Sequence, residues 1–550
     1  MVRALYFSAL GLIIGLALVL RLPNLAQRPM HNDEGVNAVK FNELWTSGKF
    51  DYDPNEYHGP TLYYFTLPVV WASGTKDFAE TTEVTYRLVP VIFGIGLILL
   101  LPLVNDGLGR GGVLWAALFT AVSPAFVFYS RYYIHEMPLV FFAFGAIACG
   151  WRYRRSNRLS WAAACGAFVG LTYTTKETWV LALAAAAASA VTAATIWRFL
   201  IKGIPHHLHF RKRAAAVGLV AFSVVFILFF SGFFRQMKGP VDAVMAYAHY
   251  SGRASGSIHD HSWNYYLSLL LWWRIKPGPV WTEAAIVGLA VVGFLLAVLR
   301  KHVVHGASEH PAKDGGQSPP YESHPSFPAF PPFVRFVGFY TLFLVIAFSI
   351  IPYKTPWCML GFLHGMILLA GFACGQIIHL LPGVVVKAAG ALVLLAAAGH
   401  LAWQADRATN NFADAKHRNY FAASRYNPYV YAQTGSDILN LIKRMEEIAL
   451  VSPGGHNVSI DVVASDYWPL PFYLRRFPNV AYPAEQKAYR NADVVIGTDA
   501  DGEHLSAEDA KHKYQASSFG LRPGVVLWVF VREELWERLR KKWRLPAPRF

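Results

Sequence analysis

Residues 113–155 read VLWAALFTAVSPAFVFYSRYYIHEMPLVFFAFGAIACGWRYRR. Two apolar runs, 113–130 and 138–152, flank a short polar step, and the second run ends in Arg152, Arg154 and Arg155. A helix crosses the hydrocarbon core in about 20 mostly apolar residues. Short loops rich in Lys and Arg stay on the cytoplasmic side. The stretch therefore predicts two spanning helices joined at the outer face and followed by a basic inner loop.

The pattern recurs on both sides. Apolar runs at 5–20, 86–104, 159–175, 178–197, 214–234, 279–299, 334–352, 357–380 and 384–402 join the first two, giving about 11 spans. The run at 5–20 has Arg3 before it, as a signal peptide would. No small-residue cleavage site follows, so it is expected to stay as the first helix. Of 550 residues, 54% are hydrophobic and 15% charged, against about 25% charged in soluble domains. Mean hydropathy is +0.30. Disordered, coiled-coil and disulfide-scaffold classes are excluded. The net charge of +15 reflects basic inner loops rather than a nucleic-acid partner. Cys149, Cys165, Cys358 and Cys374 lie in apolar segments, where free Cys behaves as a small hydrophobe.

Basic clusters at Arg152–Arg158, Arg198–Arg213 and Arg300–Lys301 alternate with loops that carry scattered single cations such as Arg131, Lys176 and Lys354. The clusters are assigned to the cytoplasm, which places the N-terminus inside and the tail after 402 outside. Residues 302–332, rich in Pro, Gly, Ser and His, read as a flexible cytoplasmic linker. The tail, 403–550, alternates helix and strand signals: a helical period over 434–451, and buried-strand runs at 458–464, 493–497 and 524–531. That predicts a small extracytoplasmic α/β domain, long enough to fold alone. Its expected docking face carries Tyr467, Trp468 and Phe472.

Polar detail gathers in the outer loops. Asp33 and Glu34 follow the first span, and a carboxylate at the membrane edge suits a general base. The apolar stretch 62–71 is too short to span and reads as an interfacial helix, with Tyr63, Tyr64 and Trp71 at headgroup depth. Arg131 and Glu136 read as a helix-end salt bridge or as site residues. Lys176 reads as a snorkelling lysine or a phosphate contact. Pro352-Tyr353-Lys354-Thr355-Pro356 frames a cation and an aromatic rigidly between two spans. Carboxylates suit proton abstraction from a hydroxyl, and cations suit a phosphate leaving group. His364 and His379 are the main polar residues inside spans, and both are expected to be hydrogen-bonded structural groups.

The segments HNDEG (31–35), YHGPTLYYF (57–65), SRYYIHEMP (130–138), TKETW (175–179), PYKTPW (352–357) and DYWPLPFYLRRFPNV (466–480) resemble GT-C glycosyltransferases of the protein O-mannosyltransferase and aminoarabinose-transferase type. More closely, the chain resembles the prokaryotic flippase-activity-associated family of the archaeal N-glycosylation type. The resemblance implies a GT-C fold and inverting transfer of a sugar from a polyprenyl-phosphate donor. The acceptor would be a glycan or a protein, at the outer face of the plasma membrane. It implies that Asp33 is the acidic position acting on the acceptor, with Glu34 as helper and Glu136 as second acidic position. His58 stands where relatives have a lysine near the donor phosphate, so Arg131, Lys176 and Lys354, with Tyr353, become the expected phosphate contacts. No metal ligands are assigned; a divalent cation stays open as cofactor. The alternative is a flippase or flippase-associated protein without catalysis. A transporter should carry ionisable groups at mid-membrane, and the expected spans are nearly free of charge.

Overall fold

The computed structural model describes residues 2–53, 58–200, 211–250, 259–299, 332–410, 421–483, 492–498 and 513–543. Apart from Pro332, the expected linker lies outside them. The chain opens with α1 (Val2–Arg21), then two helices between spans, α2 (Asn32–Ser47) and α3 (Thr61–Ser73). Next come α4 (Glu83–Leu100), α5 (Asn105–Leu108), α6 (Arg110–Val122), α7 (Pro124–Tyr129), α8 (Glu136–Ser156), α9 (Leu159–Tyr173), α10 (Trp179–Leu200) and α11 (Lys212–Phe230). The bundle is completed by α12 (Gly239–Tyr250), α13 (Tyr265–Leu271), α14 (Ala284–Leu299), α15 (Pro332–Ile350), α16 (Leu360–Leu380) and α17 (Gly383–Asn410).

Each expected span coincides with a helix, the run 113–130 being divided into α6 and α7 at Pro124. Among the described residues, six helices are long and apolar enough to cross a membrane, and four apolar ones are shorter. This is a multi-pass membrane protein. Spans pack through small residues, which let backbones approach where lipid supplies no hydrophobic drive. A Cβ on Gly166 of α9 would lie 1.9 Å from the Gly218 carbonyl of α11, and one on Gly371 of α16 would lie 2.5 Å from the Gly112 carbonyl of α6.

Two details differ from expectation. The last helix continues to Asn410, beyond the boundary expected at 402. The stretch 62–71 is helical, as part of α3, with Trp71 exposed, but Tyr63 is buried and donates to Asn37 Oδ1 at 2.9 Å. The polar neighbour inside the bundle outweighs the headgroup layer for that hydroxyl.

The tail carries α18 (Ile438–Ala449), α19 (Leu470–Tyr473) and α20 (Glu533–Trp543) beside a sheet of β1 (Ile460–Val462), β2 (Val480–Ala481), β3 (Val494–Gly497), β4 (Tyr514–Arg522) and β5 (Val525–Arg532). The strand order is β2-β1-β3-β5-β4. β1 runs parallel to β2 and β3, whereas β5 is antiparallel to β3 and β4. Ile438, Leu441, Met445 and Ile448 give α18 its buried stripe. The tail and the bundle share one hydrophobic core. Phe472 is buried against Phe78 and Tyr86, and a Cβ on Gly35 would meet Pro469 Cβ at 2.5 Å. Phe472 is therefore already docked, while Tyr467 and Trp468 are half-buried.

Candidate active site

Loops that lie far apart in sequence meet at the end of the bundle that carries the sheet. The first, 25–35, is organised by Glu34. Its carboxylate takes Arg87 Nε at 2.8 Å and Arg87 Nη2 at 2.7 Å, with backbone amides of His31 at 2.9 Å and Tyr133 at 3.0 Å. Arg87 spends its other donors on the carbonyls of Leu25, Arg28 and Pro29. Burial alone would raise the Glu34 pKa, but the Arg87 fork and the His31 amide hold it down to about 2. With 0% exposure and every bond used inward, Glu34 fixes the loop and does not stand beside Asp33 as a second open carboxylate.

His31 caps α2. Its Nδ1 accepts from the Asp33 amide at 3.1 Å, and its Nε2 lies 2.9 Å from the Tyr431 carbonyl. A carbonyl cannot donate, so Nε2 carries the proton and the ring is neutral. Burial also pushes its pKa down. Asp33 follows on the first turn with its carboxylate 44% exposed. It is the open acid of the pair.

The second group joins 58–61, 135–136 and 174–177. The Thr61 amide and hydroxyl both donate to the Thr174 carbonyl, at 3.2 and 2.7 Å. Gly59 allows this: a Cβ there would lie 2.1 Å from the Thr174 oxygen. His58 Nδ1 lies 2.7 Å from Glu177 Oε2, and its ring stands edge-on to His135. Burial would raise the Glu177 pKa; the His58 contact outweighs it and lowers the value. Lys176 is buried, neither snorkelling nor solvated, and donates to Glu136. Burial disfavours its charge, but Glu136 outweighs that and raises its pKa.

Arg131 does not pair with Glu136. Its Nη1 donates to Asn410 Oδ1 at 2.8 Å and to the Leu20 carbonyl at 3.3 Å, tying the first helix to the last. Among the expected phosphate contacts it is the one directed at the helix ends. Lys354 Nζ donates to the carbonyls of Ile351 and His261. Those partners are neutral, and no described carboxylate is within ion-pair distance of it. Burial lowers its pKa, with Asp260 acting the other way. Tyr353 is 39% exposed beside the His259 ring.

A narrow apolar cavity reaches this group between α8, α10, α15 and α16, with Glu136, Thr178, Trp357 and Cys358 at its lining. It shares Val140, Ala143, Tyr340 and Gly361 with a second cavity that His364 also lines. His364 Nε2 has no partner among the described residues, and the ring packs edge-on to Phe144 at 4.7 Å. The expected hydrogen bond is absent there because the surrounding groove is apolar. Among the described residues no group of three or more His, Cys, Asp or Glu side chains is placed to hold a metal ion.

The family model for dolichyl-phosphate-mannose-protein mannosyltransferases matches residues 59–235. The crystal structure of ArnT from Cupriavidus metallidurans bound to undecaprenyl phosphate superposes with a TM-score of 0.63 at 14% identity, covering 94% of this chain and 97% of that one. The fold is a GT-C fold. The archaeal oligosaccharyltransferase AglB from Archaeoglobus fulgidus, in complex with an inhibitory peptide and a dolichol-phosphate, gives a TM-score of 0.54 at 12% identity, over 98% of this chain and 77% of that one. No curated protein sequence matches the chain. Within this GT-C frame the sequence reading missed His31, Arg87, Glu177, His259 and Tyr431. Only the capping spacing His31–Glu34, a polar residue three before a glutamate, could have signalled the first of them.

Proposed function

We propose that this protein is a membrane glycosyltransferase that moves a sugar from a polyprenyl-phosphate donor to an acceptor, with inversion, at the outer face of the plasma membrane. The observation that carries the reading is one juxtaposition: the open carboxylate of Asp33 and the Lys354 cation, bonded to neutral carbonyls, share a loop cluster that an apolar cavity enters. The fold shared with two proteins solved with a polyprenyl phosphate, and the partial mannosyltransferase family match, support it.

In this reading the donor's isoprenoid chain occupies the apolar cavity and its phosphate meets Lys354 and Tyr353. Lys176 joins by giving up Glu136 as the phosphate arrives. The acceptor's nucleophile attacks the anomeric carbon opposite the phosphate. The carbon–oxygen bond breaks with its electron pair on the phosphate, and the acceptor proton passes to Asp33. Lysines lower the energy of the departing phosphate because charge grows there in the transition state. A flippase is the less supported reading, since the expected spans hold few ionisable groups. The glycan or protein acceptor would reach Asp33 from the side of the sheet domain.

The test is transfer from a radiolabelled polyprenyl-phosphate sugar by purified protein in proteoliposomes. Asp33→Asn should lower kcat by roughly 10²–10⁴-fold, the range for a positioned base, while donor KM holds. Full activity in Asp33→Asn removes the base assignment. Wild-type flipping of the lipid without transfer would favour the transport reading. For orientation, Arg154→Cys should resist an impermeant thiol reagent in intact cells while Ser518→Cys reacts; the opposite pattern reverses the topology.

A further inference from the structure

The first segment of the tail, 421–434, lies across the loop cluster as a strap pinned on both sides of Tyr431. Upstream, the Trp281 indole donates to the Tyr426 carbonyl at 2.7 Å, and Asn427 Nδ2 reaches the carbonyls of Ala408 and Phe421 at 3.1 Å each. Tyr429 is held at both ends. Its carbonyl accepts from Tyr129 OH at 2.8 Å, and its hydroxyl donates to Glu283 at 2.9 Å. Glu283 has 0% exposure and takes two more donors, Ser123 Oγ at 2.6 Å and the Ala125 amide at 3.0 Å. A buried carboxylate is tolerated only with such donors, so Tyr429 is fixed by a group that needs it. Downstream, Gln433 accepts from Tyr132 OH and donates to the Pro29 carbonyl at 3.0 Å.

Between these pins the backbone bends. Ala432 has φ +46°, in the left-handed region that non-glycine residues rarely adopt and that strains the backbone. The bend turns Tyr431 toward the cluster. The Tyr431 carbonyl faces His31 Nε2 at 2.9 Å, its hydroxyl lies 2.6 Å from His259 Nδ1, and its ring stands edge-on to Trp357. Through His31 the contact continues to the Asp33 amide. The line runs from the buried Glu283, through Tyr429 and the strained turn, to the ring that caps the residue read as the base.

We propose that Tyr431 is a positioning residue, contributed by the tail, which holds His31 in its Nε2-protonated form and thereby sets the orientation of Asp33. The strap is part of the active site rather than a linker, and Glu283 and Tyr429 act on turnover from outside the reacting atoms. The role rests on the reading of Asp33 as the base.

The experiment is a double-mutant cycle on the full-length protein, read both by kinetics and by the imidazole ¹⁵N spectrum. Tyr429→Phe keeps the ring and removes the hydroxyl from Glu283; His31→Asn keeps a short N-cap acceptor that cannot also reach Tyr431. Each should lower kcat about tenfold, within the roughly 10²-fold that a 1 Å misplacement can cost, with donor KM unchanged. The double variant should lose no more than His31→Asn alone. In the spectrum, the neutral Nε2-protonated signal that vanishes in His31→Asn should shift in Tyr429→Phe. Losses that multiply, or a His31 signal unmoved by Tyr429→Phe, overturn the proposal. If Tyr429→Phe fails to fold, Gln433→Ala releases the other pin and must give the same pair of results. The spectrum separates the two ideas: a shifted His31 signal with full activity in Asp33→Asn keeps the strap contact and removes the base.

Discussion

Glu34–Arg87 and Glu136–Lys176 are both buried ion pairs under the same loop cluster, yet they are built oppositely. The Glu34 carboxylate and the Arg87 guanidinium meet as a two-bonded fork, and their remaining sites are filled by backbone groups. Glu136 and Lys176 share one described bond, and Glu136 lines an open apolar cavity. The saturated pair has nothing left to offer a ligand and serves as architecture. The unsaturated pair can exchange partners, because a phosphate could supply Lys176 with what Glu136 now supplies. A buried ion pair alone says little about stability or function; the count of satisfied sites around it says more.

The largest expected effect tests the saturated pair. Arg87→Leu leaves Glu34 buried without its cation and should cost about 3–5 kcal/mol, seen as loss of monodisperse protein or a sharp drop in Tm. Adding Glu34→Gln should recover part of that loss. An Arg87→Leu protein with wild-type Tm would mean that the two pairs do not differ as described. Next, Gly59→Ala should push the 58–61 loop off Thr174. Overpacking of this kind costs about 1–3 kcal/mol, and here it should also weaken donor binding, because Lys176 follows Thr174 in the same turn. Wild-type Tm and donor affinity together would show that the loops separate freely.

Glu136→Gln probes the exchangeable pair. It should lose some stability, because buried Lys176 keeps only a neutral acceptor, and bind undecaprenyl phosphate roughly tenfold more tightly, about 1.4 kcal/mol, by freeing Lys176; Lys176→Met should bind more weakly. Tryptophan quenching by the titrated lipid would measure both, and weaker binding in Glu136→Gln would assign that carboxylate a direct part in holding the donor. The smallest effect is on pH. Glu34 has a lowered pKa when folded, so its contribution is present above the ordinary carboxylate range. It is lost as pH falls from about 4.5 toward about 2. The acid limb of a Tm-against-pH curve should flatten over that window in Glu34→Gln, and an unchanged limb would place the acid sensitivity elsewhere.

Much of the membrane frame was legible because hydropathy needs no tertiary knowledge. The spans, the α18 stripe and three of the five strands follow from local pattern. β4 escaped because its sequence, YQASSFGLR, is half polar, and β2 because it is two residues long. The site was legible as a set of loops and not as a set of bonds. Asp33 and Glu34 look equivalent in HNDEG; only the folded position of Arg87, 53 residues on, separates them. Arg131 and Glu136 sit five apart and invite pairing, but each is claimed by a distant partner. Tyr431 carried no local signal at all, since its contact with His31 depends on a turn at Ala432 and on a histidine at the start of α2.

The bond between His31 and Tyr431 joins residues 400 apart, and this orders events during synthesis. The Glu34–Arg87 fork and the Tyr133 amide that completes it are all present once the first 133 residues have left the ribosome. Chains fold from the N-terminal side as they are made, at about 5–20 residues per second. Roughly 15–60 seconds at that pace would separate a settled Asp33 loop from the arrival of Tyr431. Through that interval the nascent protein would hold its acid in place without the Tyr431 carbonyl contact proposed to aim it, so a ribosome-stalled chain ending before 421 should be inserted but idle.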